Sequence, residues 1–192
     1  MASQTGTATD YKDLFNELRD YCVANGYTVE RDLTQLQFGD PAGRELILSN
    51  DFGSGNTFHF GLQTREDSTT GYFNFRLNAF TGYNASEIYN QQPGISPDTY
   101  VPLQNSTMTY WMFVNVRRFC MVVRTGSSYQ FMYAGLINTF ATNEPDEYPY
   151  PMCVLGCTHV FDTVFNSNLL AYSSVPNPGS TSNVRTLSLI HI

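Results

Sequence analysis

YWMFVNVRRFCMVVRTGSSYQFMY, residues 110–133, is the stretch that decides the fold. Two runs rich in Val, Phe, Tyr, Met and Trp flank a short polar break at Gly126, Ser127 and Ser128. Such side chains fit a pleated, packed surface, and a Gly-Ser break supplies the backbone freedom a reversal needs. The stretch therefore predicts a hairpin of two buried strands. Its only charges are Arg117, Arg118 and Arg124. No catalytic constellation sits on it, and it reads as a surface made to be packed against something.

Working outward, the β pattern continues on both sides. Met132 to Ile137 extends the hairpin, and NEPDEYPYP (143–151) is held extended by its prolines. Met152 to Val164 is a further strand region, and the apolar segment 187–192 reads as a last edge strand or a piece inserted into a partner. Upstream, short strands are expected at Tyr27–Arg31, Gln35–Phe38, Arg44–Ser49 and Phe58–Leu62. In 72–77, Tyr72, Asn74 and Arg76 alternate with Phe73, Phe75 and Leu77, the pattern of a half-buried strand with its polar side in water. Phe80 to Gln104 breaks that rhythm with Gly82, Pro93-Gly94, Pro97 and Pro102. A loop this long with aromatic anchors predicts an ordered surface segment that packs on a neighbour.

The N-terminal quarter differs. Tyr11, Leu14, Leu18, Tyr21 and Cys22 recur at helical spacing, Thr9 or Asp10 can cap the start, and Asn25-Gly26 supplies a left-handed stop. An amphipathic helix over 10–25 follows. Residues 1–9 are small and polar and read as a flexible arm, or a strand that orders only on contact, leaving 10–186 as a single β-rich domain. The fold expected is mainly β, a β-sandwich or jelly-roll-like domain with one N-terminal helix and extended termini.

Composition narrows the function. The chain has 192 residues, of which 42% are hydrophobic, 15% aromatic and only 14% charged, against roughly 25% charged in a typical domain. Charge depletion with aromatic enrichment suits a surface covered by neighbours. A net charge of -7 argues against a nucleic-acid partner, because phosphate contacts need clustered Lys and Arg. No apolar run approaches the roughly 18 residues of a membrane span, and the N-terminus does not read as a signal peptide. Cys22, Cys120, Cys153 and Cys157 read as buried free thiols of a protein made in a reducing cytosol.

The candidate chemistries are weak. Cys153, Cys157 and His159 would share one strand face, but no second cluster completes a four-coordinate site. Neither a metal nor a cofactor is expected. His59, His159 and His191 lie in no nucleophile motif, and the neighbouring acids Glu66-Asp67 and Glu144, Asp146, Glu147 read as solvated turn residues. Tyr83, Tyr89 and Tyr100 could stack on sugar rings, which keeps a carbohydrate-binding host-adsorption module as the alternative to a purely structural role.

TGTATDYKDLFNELRDYCVANGYT (5–28) resembles the opening of small virion proteins encoded among the tail genes of tailed bacteriophages and prophages, with a Thr-Gly-Thr-Ala-Thr arm and a Tyr-x-Asp-Leu helix. YWMFVNVRRFCMVV (110–123), YAGLIN (133–138) and EYPYP (147–151) are similar to a second shared region, and together the matches cover about half of the chain. The resemblance implies a non-enzymatic virion component, made in the host bacterial cytoplasm. Its expected place is the tail, as baseplate or tail tip or as neck or collar. Its partners would be other virion proteins and copies of itself, with a host surface glycan under the alternative. Subunit contacts are expected at Thr5, Gly6, Thr7, Tyr89, Tyr100, Leu187, Leu189, Ile190 and Ile192.

Overall fold

The helix expected over 10–25 forms as α1, Tyr11–Ala24, in a computed structural model that describes residues 1–34, 43–53, 57–67, 71–136, 152–156 and 188–189. Local chemistry sets both of its ends. The Asp10 carboxylate accepts from the backbone N–H of Lys12 and Asp13, each at 2.8 Å, while Asp13 reaches back to accept from Thr9 N–H at 2.8 Å. These bonds satisfy donors that a helix start leaves open. At the other end Gly26 takes φ 90, with Tyr27 N–H donating to Cys22 O and Gly26 N–H to Val23 O, both at 3.1 Å. That is a Schellman stop, and it depends on a residue that tolerates the left-handed region. The face formed by Tyr11, Leu14, Phe15, Leu18, Tyr21 and Cys22 is buried.

The strands are β1 (Ala2–Ala8), β2 (Thr28–Leu33), β3 (Glu45–Asp51), β4 (Thr57–Asp67), β5 (Tyr72–Phe80), β6 (Thr99–Leu103), β7 (Met108–Asn115), β8 (Arg118–Thr125), β9 (Ser128–Leu136), β10 (Met152–Leu155) and β11 (Ser188–Leu189). One antiparallel sheet runs β1-β7-β8-β9-β10-β11 and the other β2-β3-β4-β5-β6. Their inner faces meet in one core, where Phe60 of β4 stacks on Phe119 of β8 at 6.2 Å. α1 lies in the same core, its Phe15 edge-on to Phe75 and its Tyr11 ring 5.0 Å from Phe73. The chain is a β-sandwich with a packed helix. Strands β2–β6 and β7–β11 each run as a meander, while β1 starts the chain in the second sheet beside β7, so the chain crosses between the sheets twice.

Several expectations are corrected. Residues 2–8 are no flexible arm: β1 pairs with β7 over seven consecutive positions, from Ala2↔Val114 to Ala8↔Met108. Gly6 explains the fit. A Cβ there would lie 2.6 Å from Tyr110 Cζ, so only glycine leaves room for that ring. The Tyr110 hydroxyl donates to Glu17 at 2.6 Å, and Gln4 bridges the same two groups. Strand, sheet and helix are thereby tied at one point.

The stretch 110–133 holds parts of three strands, not two. Val116-Arg117 turns the chain between β7 and β8, and Asn115 Oδ1 accepts from Arg117 N–H at 2.8 Å and Arg118 N–H at 3.0 Å. An Asn side chain that mimics the turn backbone permits the reversal without glycine. The expected break at Gly126-Ser127 joins β8 to β9, with Thr125 opposite Ser128 and Gly126 at φ 61. Residues 99–103, expected as loop, form the edge strand β6, where Pro102 is tolerated because an edge leaves some N–H groups unpaired. The expected strand 35–38 and segment 143–151 lie outside the described residues.

Candidate functional site

The two outer faces of the sandwich differ in kind. The outer face of the β2–β6 sheet is covered by the chain's own segment 81–98. Asn74 and Arg76, expected in water, are buried, as are Glu45, Gln63 and Asn78. Phe80, Tyr89 and Ile47 form a small second core there, with Tyr83 and Ile95 packed against it. Gly61 on β4 admits the rings, since a Cβ would stand 2.7 Å from both Phe80 and Tyr89. Gln92 ties the segment to itself, donating to Asn84 O and Glu87 O at 2.9 Å each. Ser96 N–H donates to Ala79 O at 2.9 Å and anchors the segment to β5.

Under that cover runs a chain of charged and amide groups. Arg31 pairs with Glu45, whose other oxygen accepts from Gln63 at 2.6 Å. Arg76 donates to Gln63 at 2.9 Å and Asn90 at 2.7 Å, and pairs with Asp98 at 2.6 Å. Asp98 also accepts from Asn78 and from Tyr100 OH, both at 2.9 Å. Burial alone would raise the Asp98 carboxyl, but hydrogen bonds from Asn78 and Arg76 and the Arg76 charge outweigh it and hold it below its ordinary range. The Tyr89 phenol is driven well above its ordinary value by burial. The arrangement fastens segment 81–98 to the sheet by charge pairing. On the same outer face Ser49 stands opposite His59 in the ladder and its hydroxyl donates to Glu30 at 2.6 Å.

This burial corrects two expectations at once. Tyr89 and Tyr100 are 0% and 2% exposed, so neither offers a ring face to a sugar or a contact to another subunit. Tyr83 is half-buried against the second core. Phe80, Ile47 and the loop aromatics bury each other because sheet and segment are complementary apolar surfaces in one chain.

Among the described residues no segment covers the outer face of the other sheet. Register places Thr5, Trp111, Val122 and Phe131 in one row, and Ser3, Phe113, Cys120 and Tyr133 in the next. Tyr129 stands 58% exposed and Phe131 40%, and Trp111 packs against Tyr129 at 6.1 Å. Arg118 and Arg124 are its only exposed charges on β7, β8 and β9. Meanwhile Gln130 points inward and is buried. The sequence gives little warning of this face, because both alternating sets of 129–133 contain aromatic or Met side chains.

Among the other expected contacts, Thr5 and Thr7 are exposed on the outer side of β1, while Gly6 sits beneath Tyr110. Leu189 pairs with Cys153 as part of β11. Leu187, Ile190 and Ile192 lie outside the described residues, as do Cys157, His159, His191, Glu144, Asp146 and Glu147. Cys22, Cys120 and Cys153 are free thiols, and burial raises Cys153 to about 11, which keeps it protonated and unreactive. His59 is half-buried in β4 and is lowered by desolvation, against a smaller opposing effect of Glu30. Among the described residues no helix is long and apolar enough to cross a membrane. No protein-family model matches the chain, and no curated protein matches it.

Proposed function

We propose that this chain is a structural subunit of a tailed-bacteriophage particle, held in the tail by contacts with neighbouring subunits. The observation that carries the assembly role is the open aromatic face of Trp111, Phe113, Val122, Tyr129, Phe131 and Tyr133, which presents apolar rings where a free-standing domain would place charge. Its contrast with the opposite face, where comparable aromatic side chains are covered by segment 81–98, supports the reading: covering one apolar surface from within leaves the other for a neighbour. The tail assignment, as baseplate or tail tip or as neck or collar, rests on the resemblance of residues 5–28 and 110–123.

Mass spectrometry of purified particles from the encoding phage or prophage tests both parts. The chain should be present in fixed stoichiometry with tail proteins. A Tyr129→Lys, Phe131→Lys double variant should fold yet be missing from particles, because two desolvated ammonium groups in an interface core cost several kcal/mol. Absence of the wild-type chain from particles overturns the tail assignment. Normal incorporation of the double variant removes this face as the contact.

A further inference from the structure

Among the described residues the edge strands β1, β2 and β6 are not treated alike. β2 carries Glu30, Arg31 and Asp32 within its six residues, and its ladder shifts register between Val29 and Arg31. β6 holds Pro102, and the chain at Gly156 lies against it, close enough that a Cβ there would sit 2.8 Å from Tyr100 O. Charge, bulge, proline and cover are means by which natural sheets prevent edge-to-edge pairing. Among the described residues β1 shows none of them. It runs seven residues, ASQTGTA, without a charge, a proline or a register shift, and no described strand lies on its far side.

We propose that two copies of this chain pair antiparallel through β1, joining their six-stranded sheets across a two-fold axis near Thr5. The occupant follows from self-complementarity. With Thr5 opposite Thr5 of the second copy, Ser3 faces Thr7 and Gln4 faces Gly6, so hydroxyls meet hydroxyls on the outer side and no like charges oppose each other. A partner strand of another kind would need no such symmetry. The pairing also has a consequence for the open face. Rows containing Trp111 and Phe131 continue through Thr5 into the same rows of the second copy, so the two aromatic surfaces become one. This deepens the assembly reading and rests on it.

Sedimentation equilibrium of the full chain tests the pairing. Wild type should weigh twice the 21.6 kDa chain. Thr5→Lys and Thr5→Glu should each dissociate about tenfold more readily, because like charges then face each other at the axis, and an equal mixture should recover wild-type association. Recovery on mixing cannot arise from misfolded chains. A second pair, Ser3→Lys with Thr7→Glu, should associate with one another more tightly than either does with itself, which fixes the register. A wild-type chain that stays single, or a dimer indifferent to all four substitutions, overturns the proposal. In the second case the assembly role stands and uses another surface. A β1 dimer from a chain that particles lack would keep the pairing and sink the tail assignment.

Discussion

Arg76 is the group on which the cover of the β2–β6 sheet most depends, and Arg76→Met tests that directly. Methionine keeps much of the aliphatic stem beside the Tyr89 ring, whose centroid lies 5.5 Å from the guanidinium, and removes only the charge and the donors. Gln63 and Asn90 each lose a bond, and Asp98 loses its cation. Removing one partner of a buried ion pair costs about 3–5 kcal/mol. The Asp98 side chain is 35% exposed and keeps Asn78 and Tyr100, so water and those two donors recover part of the loss. The expected destabilisation is therefore about 2–3 kcal/mol, which in a chain of this size lowers Tm by roughly 4–12 °C. Urea melts should show a lower midpoint with unchanged slope, since the surface exposed on global unfolding is the same. A double-mutant cycle with Asp98→Asn should return a coupling of at least about 1 kcal/mol. A loss under about 1 kcal/mol, or additivity in the cycle, would refute the idea that this pair holds segment 81–98 in place.

Three further outcomes follow from particular contacts. Asp98 is held below its ordinary value of 3.8, so its contribution to stability is fully present above that value and is lost as pH falls through the lowered one. The stability gap between wild type and Asp98→Asn should accordingly narrow in acid melts below about pH 4, and a gap constant down to pH 2 would contradict it. Gly61→Ala should destabilise by about 1–3 kcal/mol, because the added methyl meets the Tyr89 and Phe80 rings, although alanine in an open strand gains about 0.5–1 kcal/mol over glycine. Thermal melts give the sign. Asp10→Ala should cost about 1 kcal/mol by leaving the N–H groups of Lys12 and Asp13 without their acceptor, and circular dichroism melts with no change would argue against the cap.

What was legible in the sequence is what short-range chemistry controls. The 3.6-residue recurrence of Tyr11, Leu14, Leu18 and Cys22, the Asp10 cap and the Gly26 stop each act within a few residues, and α1 forms where they place it. The Gly126-Ser127 reversal and the alternation in 72–77 are local too, and the turn and the strand β5 appear there, although Asn74 and Arg76 are buried rather than in water. The turn at Val116-Arg117 was less visible because its device is one Asn side chain rather than glycine or proline.

Tertiary structure alone decided which surfaces meet. Gln4 finds Tyr110 at a separation of 106 positions, so the ordering of β1 has no signature in residues 1–9 themselves. Segment 81–98 could as well cover a neighbour as its own sheet, and its composition is the same in either case. That choice buried Asn74, Arg76, Tyr89 and Tyr100 and left Tyr129 and Phe131 in the open. Period and propensity fix which side chains share a face of a strand. Which face is covered is set by the whole chain, through apolar area removed from water by partners that sequence distance does not reveal.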